Sequence, residues 1–157
     1  MNNSNDSIID SINDNRNERI LKMFKSLSKK VDEDQDRRER IIKCSRDITA
    51  QSKKMIFALH RLSNHPVHER EKKLKDIEKT FIIEILSMFK NKIFSEYQHF
   101  QQQDERLNMQ ERFNKFCYAG LEEFLEAYSF YIFLIDRSLI SLNDFQSLLT
   151  LDGHVVS

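Results

Sequence analysis

The sequence predicts an all-α protein, an antiparallel bundle of about four helices led by a very long first helix. Three observations predict it. Only two glycines and one proline occur in 157 residues, too little turn chemistry for a sheet or sandwich. Long windows repeat apolar residues at alternating steps of three and four, the spacing of one helix face. From Arg16 to Asn64 neither glycine nor proline interrupts that pattern. One helix roughly 70 Å long is expected there at 1.5 Å rise per residue, the length of a bundle or coiled-coil element.

Charge and cysteine usage narrow the class. The 25 basic and 25 acidic side chains give a net charge of zero. No global positive field attracts nucleic acid, so such a role must rest on a local patch. Cys44 and Cys117 are far apart and lack a metal-binding spacing, which suggests free thiols in a reducing compartment. The N-terminus has no basic-then-apolar order, and the longest apolar run, Phe130–Ile135, is too short to span a bilayer. A soluble intracellular protein with no membrane association is expected.

Residues 1–15 are rich in Asn, Asp and Ser and are expected to be disordered, ahead of a helical domain over 16–151 and a tail over 152–157. On the first helix, Ile20, Phe24, Leu27, Val31, Ile41, Ile48, Met55, Leu59 and Leu62 keep to the periodic steps, with a possible bend at the polar Asp32–Asp36. Pro66 sets its end near Asn64. A loop over Ser63–His68 leads to a second helix, Glu69–Gln98, with Leu74, Ile77, Phe81, Ile85 and Met88 on its inner stripe. Gln101–Glu105 is a polar break or exposed helix. The third helix spans Leu107–Asp136 and contains Gly120, whose helix cost of about 1 kcal/mol suggests close packing against a neighbouring backbone. Ser141 and Asp144 form an N-cap pattern that opens a last helix, Leu142–Leu151.

The chain is organised around Gly120–Ser141, where three glutamates run into the most apolar segment. Leu121, Phe124, Leu125, Tyr128, Ile132 and Ile135 share one helix face, and Phe130, Phe133 and Leu134 fill the opposite side one or two turns later. That pattern reads as a helix entering an interior. Carboxylates at such an entrance need a cation, a basic side chain or a metal. Glu123 and Glu126 are three apart and Glu122 and Glu126 four apart, so either pair lies on one face. Two readings remain open from spacing alone. One is a magnesium platform, for which one or two carboxylates plus waters and phosphate suffice. The other is a charged face paired with a neighbour's lysines.

Other constellations are weaker. Arg37, Arg38, Arg40, Lys43, Arg46, Lys53, Lys54 and Arg61 line the first helix without forming one stripe, and neighbouring acids offset them. His60, His65 and His68 flank the first loop without zinc spacing and read as surface histidines. Phe113, Phe116, Tyr118 and Tyr128–Phe133 have the spacing of core residues more than of a base-stacking platform. Arg46 and Asp47 are candidates for a buried or interface pair. No nucleophile elbow or phosphate loop occurs.

Two blocks carry a family resemblance: Ile41–Asn64, with SRDIT, SKK, IF and LHR, and Gly120–Ser141, with GLEEFLEA, SF and RSLIS. They resemble the translin family, on its translin-associated factor X side, with weaker similarity around Met23–Val31. The resemblance implies a seven-helix fold that assembles with translin into a hollow hetero-oligomer binding single-stranded RNA and DNA. It implies a magnesium-dependent endoribonuclease site acting on small-RNA passenger strands, in the cytoplasm and nucleus. In that site Glu123 and Glu126 are the catalytic and metal-holding carboxylates, and Glu122 is an outer member. Family members continue for about as long again, with further acidic ligands and late helices. The chain is therefore expected to be a truncated member with an incomplete site. The alternative role is a non-catalytic helical module that associates with translin or with itself.

Overall fold

The computed structural model describes the backbone of residues 3–62, 65–96 and 106–150. Every element among them is helical. Helix α1 spans Asn3–Leu62, α2 Val67–Ile77, α3 Ile83–Met88, α4 Arg106–Asp136 and α5 Leu142–Thr150. Two π-helical turns, Glu78–Ile82 and Phe89–Phe94, flank α3. Nothing in the α1 backbone marks a boundary at Arg16 or an interruption at Asp32–Asp36. Gln101–Glu105, the end of the second helix at Gln98, Leu151 and the tail 152–157 lie outside the described residues.

The chain divides into two units, Met1–Arg38 and Glu39–Ser157. In the first, Ile20, Phe24, Leu27 and Val31 keep their helical spacing, but all four are exposed. The second contains the core. There α1 buries Ile41, Cys44, Ser45, Ile48, Ser52, Met55, Leu59 and Leu62, at the steps of three and four that place residues on one face. Pro66 ends the run: it sits at the α2 N-cap in an extended conformation (φ −55, ψ 145). The turn is fastened by Arg70 Nε, which donates to the His65 carbonyl at 2.9 Å.

Contacts fix the helix directions. Arg40 reaches Glu96 and the Cys44 thiol faces the Met88 carbonyl at 3.8 Å, so α1 runs antiparallel to the second rod, residues 67–96, made of α2, α3 and the two π turns. Ser45 meets Gly120, Lys53 meets Glu123 and the His60 ring packs tilted against Phe130, so α1 and α4 run parallel. The arrangement is up, down, up. Helix α5 adds Phe145, which packs tilted against Phe124 and Tyr128. Phe124 has no exposed surface and also touches Phe89, so one ring joins three elements. Burying a ring of that size is worth about 1.5–3 kcal/mol.

The inner stripe of the second rod differs from the expected one. Ile77, Ile82, Ile85, Phe89 and Ile93 are buried, whereas Phe81 and Met88 are only partly so. The step from Ile77 to Ile82 is five residues and spans the first π turn. A π turn closes its hydrogen bond over five residues, so it inserts one position and moves the seam along by one. The end of α4 is also more open than the sequence suggests. Phe133 and Ile135 are exposed, because only one side of that last turn is covered. A Ser141 N-cap opens α5 as expected: the Asp144 N–H donates to Ser141 Oγ at 3.1 Å, and the Ser141 hydroxyl donates to Asp144 Oδ2 at 2.7 Å.

Candidate functional site

The acidic turn of α4 is placed by the α1–α4 crossing. Gly120 is buried, and its N–H donates to the Ser45 hydroxyl at 3.2 Å. A β-carbon there would lie 2.9 Å from both Ser45 O and Ser45 Oγ. Glycine therefore lets the two backbones meet, and Glu123 comes one turn later on the flank that faces α1. Its Oε2 lies 3.8 Å from Lys53 Nζ, and its side chain is 22% exposed against 59% for the lysine.

Glu122 and Glu126 are both exposed. The structure thus turns one of the three glutamates toward a neighbouring helix and leaves the other two open to approach. Among the described residues, no group of three or more His, Cys, Asp or Glu side chains converges as a metal cage would require. Two hard carboxylate groups one turn apart nonetheless suit magnesium, which uses few protein ligands and keeps its waters. Glu123 and Glu126 have that spacing, although only Glu123 is turned toward α1. Lys53 competes for Glu123.

The remaining candidates are dispersed. Arg40 forms a two-point contact with Glu96, 2.6 Å from Nε and 3.1 Å from Nη2, so it ties α1 to the second rod. Lys43, Arg46, Lys54 and Arg61 are exposed, and Asp47 is half-buried. His60 lies on α1, its ring 4.7 Å from that of Phe130. His65 and His68 lie 3.9 Å from Glu69. Of the aromatic residues, Tyr131 is buried and Phe116, Tyr128 and Phe130 are partly so, whereas Tyr118 is exposed; the Phe113 side chain lies outside the described residues.

Two arrangements have no periodic signature in the sequence. The Tyr131 hydroxyl donates to Glu78 Oε2 at 3.2 Å. Burial, then the Glu78 charge and that hydrogen bond, push Tyr131 up to about 12. Cys44 and Cys117 are both buried free thiols. Burial foremost, with Cys44 nearby, pushes Cys117 up to about 12, which makes it a poor nucleophile.

The translin-family profile matches residues 36–155. The chain belongs to the translin family. The match takes in both SRDIT on α1 and RSLIS after α4, and it contains the whole acidic turn. Over 121 residues the chain is 37% identical to the translin-associated protein X homolog of Schizosaccharomyces pombe, covering 77% of this chain and 48% of the relative. Over 133 residues it is 35% identical to translin-associated protein X of Mus musculus, covering 83% of this chain and 41% of the relative. This translin-family chain thus spans less than half the length of these curated relatives. No solved structure matches.

Proposed function

We propose that this translin-family chain acts as a partner subunit of translin, and that together they engage single-stranded RNA or DNA in the cytoplasm and nucleus. One observation carries the association: the RSLIS segment and the start of α5 present apolar surface. Leu139 is 81% exposed and Leu142 68% exposed, beside exposed Phe133 and Ile135. Side chains of this kind, gathered around the α4–α5 connection, suit a helical neighbour. The names of the relatives, which describe association with translin, support the same reading. Co-expression with translin tests it. A stable complex is expected with the native chain and its loss with the Leu139→Asp/Leu142→Asp variant. No complex with the native chain overturns the reading.

A second reading rests on the Glu123–Lys53 approach: the chain contributes to a magnesium-dependent endoribonuclease that acts on small-RNA passenger strands. Glu123 and Glu126 would hold the ion, with Glu122 outside them. When bound, magnesium supplies neutralisation of phosphate charge and a water of lowered pKa. Lys53 would orient Glu123 and attract the phosphate. Incubating the translin complex with single-stranded RNA and magnesium tests this role. Cleavage that Glu126→Gln abolishes supports it. Assembly without cleavage leaves the chain a non-catalytic helical module.

A further inference from the structure

The first unit carries a feature that neither the acidic turn nor the RSLIS surface uses. Arg16–Val31 forms about 24 Å of helix within α1 at 1.5 Å per residue, and every side chain in it is exposed. It lies ahead of the family-matched residues 36–155. At about 100° per residue, Ile20, Leu21, Met23, Phe24, Leu27 and Val31 occupy one arc of about 160°. Phe24 is 67% and Val31 65% exposed. Six cations, Arg16, Arg19, Lys22, Lys25, Lys29 and Lys30, stand against the single Glu18, a net charge of +5. Lys25 borders the apolar arc on one side and Lys30 borders it on the other.

We infer that Arg16–Val31 is a docking helix for a protein presenting an apolar groove ringed by acidic side chains, of the calcium-loaded EF-hand class. The charge distribution selects this occupant. A second copy laid parallel and in register on the same apolar face brings lysine against lysine, which is unfavourable. An anionic membrane satisfies the lysines but not the acidic residues beyond them. Immediately after Val31, Asp32 borders the same face and Asp34 falls on it, and Glu33 and Asp36 are close by. A continuous anionic surface repels all four. A groove has an end and closes on the basic turns alone. Lys22 and Lys29, on the far side of the helix, keep only exposed pairs with Glu18 at 2.9 Å and Glu33 at 3.8 Å. Such pairs are weak and give way readily to an encircling acidic partner. Apolar anchors at steps of three and four inside a basic helix are the pattern that helix-in-groove recognition uses.

The test titrates the full chain with calmodulin as the probe, in excess calcium and in excess chelator, by isothermal titration calorimetry. Binding is expected with a dissociation constant of roughly micromolar or tighter in calcium, and at least about tenfold weaker in chelator. Phe24→Ala and Lys25→Glu/Lys30→Glu should each weaken it by about tenfold or more, the range of interface anchors, with unchanged far-ultraviolet circular dichroism. Two controls stand beside it, flotation with phosphatidylserine vesicles and light scattering of the chain alone. Absence of calcium-dependent binding overturns the inference. So does vesicle binding or self-association that the same substitutions abolish while calmodulin binding persists. Translin takes no part in this test, so its outcome is independent of the proposed association.

Discussion

The backbone N–H of Gly120 donates to the hydroxyl of Ser45 at 3.2 Å, and the Ser45 carbonyl would lie 2.9 Å from any β-carbon placed on that glycine. Replacing a helical glycine by alanine ordinarily gains about 1 kcal/mol. Here the sign reverses. Gly120→Ala should destabilise by about 1–3 kcal/mol, the range of an overpacked contact. Adding Ser45→Ala should not restore stability, because the backbone oxygen remains in the way. Urea denaturation of the two variants checks both statements; a stabilised Gly120→Ala protein refutes them.

The π turn Glu78–Ile82 contains one residue more than an α-turn would. Deleting the exposed Lys79 should convert it to regular helix and leave Ile82, Ile85 and Phe89 in phase with Ile77. Deleting the exposed Lys54 from regular α1 should instead rotate Met55, Leu59 and Leu62 off the seam. Thermal melts should find the first deletion cooperatively folded and the second not.

Arg137 closes α4 in the left-handed region at φ 56, with its N–H bonded to the Phe133 carbonyl at 3.0 Å. That position favours glycine. Its guanidinium lies 5.6 Å from the Phe133 ring centroid, a contact worth about 0.5–1 kcal/mol at an exposed site. A non-glycine residue in this conformation costs about 1–2 kcal/mol. Arg137→Gly should therefore raise stability slightly, by up to about 1 kcal/mol. Arg137→Ala should lower it, since the strain stays and the ring contact goes.

Alkaline pH should unfold the protein early. Tyr131 is pushed up to about 12 by burial and by Glu78, from an ordinary 10, and Cys117 to about 12 from 9. Both groups hold their proton more tightly when folded. Their contribution is complete below pH 9 and is lost as the pH rises toward 12. Melting temperatures should fall across that interval, and Tyr131→Phe should fall less steeply between 10 and 12. A flat profile contradicts the burial of these groups.

Glu123→Gln should change stability by less than about 1 kcal/mol, because its partner Lys53 is largely solvated. A larger loss by urea denaturation would mean that the residue serves the fold, and activity data on the variant would then say nothing about a metal.

Much of this architecture was legible in the sequence. The long first helix comes from the absence of glycine and proline, the α5 cap from a hydroxyl and a carboxylate three apart, and the close crossing from a lone helical glycine. The seam of the second rod was not. Phe81 and Met88 fit a 3.6-residue period, and a π turn leaves no mark on that period; Ile82 and Phe89 took their places. Phe133 and Ile135 are as apolar as core residues, and only the packing reveals that both stay exposed. For the acidic turn, spacing placed Glu123 and Glu126 on one face. Which of them turns toward α1 depends on Lys53, seventy residues away in sequence, and no local pattern encodes that.

Cys44 precedes Ser45 directly, and Cys117 lies one turn before Gly120, so each helix carries a native thiol beside the contact that clamps it to the other. Neither is accessible while the clamp holds. The rate at which a thiol reagent modifies them is thus a built-in gauge of how often the core around that contact opens. It can be read on the unaltered polypeptide, before and after any partner is added.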